Sequence, residues 1–144
     1  MLILNPRSVV LGSARLGDVV SVAIERRAAR LAVEWTDLGP HAAFADVPEQ
    51  RVDVRIVQEV GEGAPDGPSP GQSVTLSLVT SPAGGDSARQ RLSASGVVTG
   101  CRYEVVQTAL GERTRRTIDV VLVSPDGAAD PVSIGPPGIT GGEP

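Results

Sequence analysis

Apolar and polar residues alternate in several short stretches of the chain, and this alternation predicts strands. A period of two is typical of a strand that buries one face and exposes the other. The clearest inward-facing sets are Val20, Val22 and Ile24; Val52, Val54 and Ile56; and Val74, Leu76 and Leu78. Three separate strands are therefore predicted within the first 80 residues.

The segment "AIERRAARLAVEW", residues 23–35, fits two different structures. Ile24, Ala28, Leu31 and Trp35 have the spacing of one helical face. The same segment fits a hairpin with its turn near residues 26–29, because the valines on both sides continue a period of two. No Gly, Asn or Pro marks that turn. The pattern favours the hairpin, and the helix stays open as the alternative.

The stretch "GVVTGCRYEVVQTALGERTRRTIDVVLVSPDG", residues 96–127, predicts two long strands around a polar turn rich in arginine. We expect the turn to be centred between Leu110 and Gly111. The resulting cross-strand pairs are Cys101 with Val120, Tyr103 with Ile118, and Arg102 with Asp119. A shift of one residue would place apolar positions opposite polar ones, so the pattern determines which side chains share a face.

Segments rich in Gly and Pro separate the predicted strands, and residues 36–50, 61–71 and 81–91 are predicted loops. Within the third loop, Asp86 is a candidate cap for a single helical turn over residues 87–92. We therefore expect an all-β fold, an antiparallel β-sandwich or barrel of about six to eight strands, with at most one short helix. Residues 1–130 should form one β domain, and residues 131–144 a tail that is either disordered or extended on a neighbour.

Composition narrows the classes of function. The 144 residues include 13 arginines and no lysine, and the 17 acidic residues give a net charge of −4. This balance is poorly suited to gripping nucleic acid through its phosphates. A single cysteine excludes an internal disulfide. The apolar run in the start "MLILNPRS" is too short for the hydrophobic region of a signal peptide, and no long apolar run predicts a membrane span. We therefore expect a cytoplasmic origin.

Few residues are candidates for chemistry. Cys101 and His41 would be the only Cys-His pair, but Cys101 is in phase with Tyr103 as a core residue, and His41 follows Gly-Pro in a predicted loop. The acidic turns lack the ordered spacing of a calcium loop, and the Gly-rich segment lacks a phosphate-binding Lys. We therefore expect no catalytic residue, no metal and no cofactor, and a protein that is not an enzyme.

Two arginine clusters and one histidine are the candidate subunit contacts. Local ion pairs in solvated turns would explain the arginines, and so would pairing with carboxylates of another subunit, for which the guanidinium geometry is well suited. Binding to nucleic acid is disfavoured because no aromatic side chains accompany the charges. The candidates are Arg26, Arg27, Arg30, His41, Arg113, Arg115 and Arg116.

The order of these strand pairs resembles that of phage tail tube proteins. The run "ASGVVTGCRYEVVQTALGERTRRTIDVVLVSPDGAADP" resembles their C-terminal hairpin and extended exit. "LGDVVSVAIERRAARLAVEW" resembles their N-terminal strand pair, and "GQSVTLSLVTSPAGG" a middle one. The resemblance covers most of residues 8–132. It implies a β-sandwich or barrel whose subunits close into hexameric rings, which stack into the tube through which the genome passes.

The resemblance also implies where such a subunit would make contacts. Long loops and terminal arms contact adjacent rings in that family, which here indicates residues 36–50, residues 61–71 and the C-terminal tail. The lumen is commonly acidic, so DNA passes without specific binding. The implied partners are copies of the protein itself, with tail sheath, tape measure or baseplate proteins as further ones. The implied location is the virion tail, built from subunits made in the host cytoplasm.

The chain departs from this family in one respect, and two other functions are alternatives. The chain has no convincing long helix, unlike many members of the family. Tubes of contractile injection and type VI secretion machines share the same design. A small β-sandwich binding module is the alternative from another class, and exposed aromatic side chains that stack on sugar rings would distinguish it.

Overall fold

The structure, a computed structural model, describes residues 2–4, 6–60, 67–80 and 90–135. These residues form nine strands. The strands are β1 Leu2–Leu4, β2 Arg7–Leu11, β3 Ala14–Arg15, β4 Val19–Trp35, β5 Ala42–Val60, β6 Ser73–Thr80, β7 Gln90–Thr108, β8 Gly111–Val123 and β9 Ser133–Gly135.

All nine strands belong to one antiparallel sheet. Its order is β1-β4-β5-β8-β7-β6-β2-β3, and β9 pairs with β7 beyond the end of β8. The predicted all-β antiparallel fold is confirmed, and the described residues contain no helix. The sheet is single and is not closed into a barrel.

The N-terminal segment links the two sides of this sheet. β1 pairs with β4 at one end of the strand order, whereas β2 pairs with β6 near the other end. Only residues 5 and 6 separate β1 from β2, so the chain between them spans about 10 Å at most. The sheet must therefore curve until its two sides approach each other, and the concave face becomes the inside of the protein.

The core consists of apolar side chains on that concave face. Val22, Ile56 and Ile118 are aligned across β4, β5 and β8, and each is fully buried. Ile24, Val54 and Val120 form the next row in the same way. The inward-facing sets predicted from the sequence lie here, apart from Val20, which is half-buried. β-branched side chains suit these rows because they pack well on a pleated surface.

Gly96 lets two central strands approach closely in the core. A Cβ atom at this position would lie 2.8 Å from Cγ1 of Val120 and 3.0 Å from the carbonyl carbon of Val121. It would also overlap the carbonyl oxygen of Val121. The absence of a side chain at Gly96 is therefore a packing requirement.

The structure corrects the prediction for residues 23–35, which form neither a hairpin nor a helix. They continue β4 without a turn as far as Trp35. Residues 36–50, predicted as a loop, contain only a short connection, since β5 begins at Ala42. Pro48 concealed this strand, because proline is rare in strand interiors. It is tolerated because it lies where the pairing shifts, between Arg30–Glu49 and Ala32–Asp46.

The predicted β7–β8 register is wrong by two residues. The observed pairs are Cys101 with Ile118, Tyr103 with Arg116, and Arg102 with Thr117. The turn consists of Ala109 and Leu110, and Gly111 follows with a left-handed φ of +115°. The turn was misplaced because this glycine ends it instead of lying at its centre. An even displacement leaves the faces unchanged, so Cys101 and Ile118 still point towards the core.

The described part of the predicted tail adds to the sheet as well. Ser133–Gly135 pair with Arg91, Leu92 and Ser93 of β7, and Val132 joins the buried core. Three parts of the predicted loops and tail lie outside the described residues, namely 61–66, 81–89 with Asp86, and 136–144.

Replacing Gly96 with Ala should destabilise the protein by about 1–3 kcal/mol, because overpacking displaces the β8 backbone. Urea denaturation followed by circular dichroism would measure the change in the free energy of unfolding.

Gly100→Ala is the matched control on the same strand. The nearest atom to a Cβ at Gly100 is Oδ2 of Asp119, at 3.9 Å. We expect a change within about 0.5 kcal/mol for this variant. If Gly96→Ala and Gly100→Ala lost equal stability, the close approach of the strands at Gly96 would not be the cause of the loss.

Candidate functional site

The β4–β5 hairpin extends well beyond the sheet, and we call residues 25–51 the ribbon. β8 pairs with β5 only from Val52 onwards, and β1 pairs with β4 only at residues 21–23. Residues 25–35 and 42–51 therefore have each other as their only described strand partners. An isolated two-stranded ribbon is at best marginally stable in water, so such an element benefits from being covered.

The ribbon exposes large apolar side chains. Leu38 at the turn is 95% exposed and Trp35 is 62% exposed. Other exposed apolar side chains on the ribbon are Leu31, Phe44 and Val47. Leu31, Val33 and Trp35 occupy alternate positions of β4, and Val33 lies opposite Ala45. One face of the ribbon is thus largely apolar, and an exposed patch of this kind is typical of an interaction surface.

Ion pairs hold the base of the ribbon. Arg27 Nε lies 3.2 Å from one carboxylate oxygen of Asp53, and Arg51 Nε donates to the other at 2.8 Å. On the same outer face, Arg55 donates a hydrogen bond to Asp119 at 3.0 Å, which raises the pKa of the guanidinium. These groups are partly exposed, so each pair stabilises the fold only modestly. Together they orient the base of the ribbon.

The loop of residues 124–132 fastens the inner side of the ribbon base. Arg26 donates to Asp130 Oδ2 at 2.9 Å, while Asp130 Oδ1 accepts the backbone N–H of Val132. These two donors lower the pKa of the Asp130 carboxyl, the backbone N–H contributing most. Asp126 accepts the backbone N–H groups of Ala129 and Ala128, which lower its pKa as well. The loop thus keeps a defined shape beside Arg26.

A polar cluster closes the opposite end of the concave face. Gln58 is buried and accepts hydrogen bonds from Arg116 Nε at 3.0 Å and Nη2 at 2.6 Å, and its own amide donates to the Gly17 carbonyl. The Tyr103 hydroxyl accepts the backbone N–H of Gly67 and a long hydrogen bond from Arg116. Every partner of Arg116 in this cluster is neutral. The arrangement explains Arg116 as a structural residue that covers the core.

The candidates for chemistry among the described residues, Cys101 and His41, lie on different elements. The described residues contain no group of three or more His, Cys, Asp or Glu side chains that could hold a metal ion. Cys101 is a half-buried free thiol packed against the core, and His41 is exposed at the far end of the ribbon. Among these residues, no helix is long and apolar enough to cross a membrane.

The predicted contact residues fall into two separate groups. Arg26, Arg27 and Arg30 lie along the ribbon base, where Arg30 Nε is 3.6 Å from Glu49. His41 lies at the ribbon turn, and the remaining three are on β8 at the other end of the sheet. There Arg113 is exposed, Arg115 lies 3.9 Å from Glu59, and Arg116 belongs to the polar cluster.

The sequence reasoning missed the apolar side chains of the ribbon. The helix and the hairpin that the sequence allows both put Leu31 and Trp35 on one face, and the predicted loop of residues 36–50 contains Phe44 and Val47. A signal was present, because arginines and alanines surround Leu31, and alanines surround Phe44. These small and charged neighbours could not form a core of their own.

Comparison with known proteins finds no matching family model, no matching curated protein and no matching solved structure.

The Asp130 and Asp126 contacts predict how stability depends on pH. Because both carboxyls have a lower pKa in the folded protein, their stabilising effect is present above the ordinary value of 3.8 and is lost as the pH falls through the lower folded values. Asp130→Ala should therefore lower the thermal midpoint at pH 6, and its difference from the wild type should shrink below pH 3.8. Thermal melts across this range would measure it.

Asp37→Ala is the control, since Asp37 is exposed at the ribbon turn and its side chain has no hydrogen bond among the described contacts. A pH-independent difference between Asp130→Ala and the wild type would show that the carboxylate charge does not matter.

Proposed function

We propose that this protein is a structural subunit of a phage tail tube, which assembles with copies of itself into stacked hexameric rings. The rings would form the conduit for the genome in the virion tail, from subunits made in the host cytoplasm. The observation that supports this proposal most is the ribbon. It projects from a well-packed domain and exposes apolar side chains that no other described part of the chain covers.

Three further features agree with an assembly role. The protein has a continuous antiparallel sheet, which suits the wall of a tube. The charges on the outer face are largely paired with one another, so the face offers no strong attraction for DNA phosphates. The edge strand β1 pairs with β4 only at residues 21–23, so the rest of that edge of β4 has no described strand beside it and is open to a second subunit.

Two alternatives differ from this proposal, one in its partners and the other in the surface that it needs. A tube in a contractile injection or type VI secretion machine would use the same assembly and would differ in its partners. A sugar-binding module would need aromatic rings on one platform. Trp35 and Phe44 are both exposed, but Phe44 lies opposite Glu34, and Glu34 and Trp35 occupy successive positions of β4. Trp35 and Phe44 therefore lie on opposite faces of the ribbon and make no common platform.

Negative-stain electron microscopy of the purified chain tests the proposal. We expect rings or tubes of uniform diameter that form as the protein concentration rises. A strict monomer at high concentration would contradict the proposal.

The ribbon can be tested directly by the double substitution Trp35→Ser and Leu38→Ser. Both side chains are exposed in the single chain, so the fold should remain intact while assembly is lost. Circular dichroism would check the fold, and sedimentation velocity would measure assembly.

The matched control for the ribbon variant is Val123→Ser, which replaces an exposed apolar residue at the end of β8. It should assemble like the wild type. If the double variant formed normal tubes, the ribbon would not be part of the interface between subunits.

A further inference from the structure

The two ends of the sheet present different hairpins. β5 and β8 pair from Val52–Leu122 to Val60–Thr114, so the ribbon leaves the sheet beyond Val52 and the β7–β8 turn leaves it beyond Val60. At a rise of about 3.3 Å per residue, the length of β5 separates these ends by roughly 60 Å. A single molecule therefore cannot bring its own ribbon turn onto its own β7–β8 turn.

The outer part of the ribbon, residues 31–48, is acidic and apolar; we call it the distal ribbon. It includes Glu34, Asp37 and Asp46 and no arginine, which gives a net charge of −3 with His41 neutral. None of these three carboxylates makes an ion pair with another described residue. Their charges are therefore available to a partner.

The opposite hairpin, residues 102–116, is basic, and we call it the basic hairpin. It has four arginines against Glu104 and Glu112, a net charge of +2. Arg113 is exposed and forms no ion pair within the described ranges. Exposed apolar side chains accompany the charges, since Val105 is 66% and Leu110 84% exposed. The two hairpins thus have opposite charge, and both also expose apolar surface.

We infer that the distal ribbon of one molecule docks on the basic hairpin of a second copy. The two surfaces differ and lie at opposite ends of the molecule, so the contact is head-to-tail and leaves one free surface at each end of the pair. A ribbon-to-ribbon contact would instead bring six carboxylates together, three from each copy. Opposite potentials of this kind accelerate association and set its register.

The two surfaces have similar sizes, 18 residues in the distal ribbon and 15 in the basic hairpin. A specific interface buries about 20–30 residues on each side, so a contact confined to these two hairpins is a small interface. Head-to-tail contacts that do not close into a ring produce an open column. This inference rests on the proposed function only in that both require self-association, and it identifies the surfaces that would join one ring to the next.

Charge reversal on each surface tests the contact. Arg113→Glu makes the basic hairpin more acidic, and Glu34→Arg with Asp46→Arg makes the distal ribbon basic. Each variant alone should associate at least about tenfold more weakly than the wild type, because the first leaves the basic hairpin without net charge and the second makes both surfaces positive. An equimolar mixture should recover assembly, since the unchanged distal ribbon of the first variant meets the unchanged basic hairpin of the second. In the other contact, the carboxylate introduced at position 113 faces the arginines introduced on the distal ribbon.

Sedimentation velocity and electron microscopy at low and at about 0.5 M salt would measure the association, and high salt should weaken the wild-type contact. Arg15→Glu is the matched control, because it makes the same charge change at an exposed arginine on β3, outside both hairpins. Circular dichroism would verify the fold of every variant.

The outcomes separate this inference from the tube proposal. Normal tubes from the Arg113→Glu variant, or variants that stay dissociated when mixed, would overturn the docking while leaving the tube proposal in place. The wild type could instead form open chains without rings. If each variant loses these chains and the mixture recovers them, the result would support the docking and contradict the tube. A wild-type chain that stays monomeric at every concentration would overturn both.

Discussion

The structure depends on the burial of one continuous apolar face across seven strands. Rows such as Val22, Ile56 and Ile118 run across the strands, so each residue is held by neighbours on both sides. This burial requires the correct register and a curved sheet, because a flat sheet would leave the same side chains in water. The short link between β1 and β2 requires this curvature, and Gly96 permits the close packing of the strands.

The ribbon begins where this burial ends. Ile24 and Val52 are the last core residues on β4 and β5, and beyond them every strand residue except Val33 is exposed. A domain gains little from such a long projection by itself, since each exposed residue still loses backbone entropy on ordering. The exposed apolar side chains of the ribbon are therefore the observation on which the proposed assembly role rests.

Charge is arranged differently at the core and at the ends. Next to the core, carboxylates and guanidiniums pair within the chain, as Asp53 does with Arg27 and Arg51. At the two ends of the sheet one sign predominates, with carboxylates on the distal ribbon and arginines on the basic hairpin. Paired charges beside the core stabilise the fold modestly, whereas the unpaired carboxylates of the distal ribbon and the unpaired Arg113 can select a partner and an orientation.

The sequence by itself determined the fold class and the faces of the strands, because a period of two follows from local backbone geometry. Val54, Leu76 and Ile118 were assigned correctly on that basis. Only the tertiary structure decided the length of β4, the strand around Pro48 and the register at Gly111. These depend on which strand supplies the hydrogen bonds and which turn residue adopts a left-handed φ. Exposure of Trp35 was likewise undecidable from periodicity, since an alternating strand looks the same whether or not the rest of the sheet extends far enough to cover it.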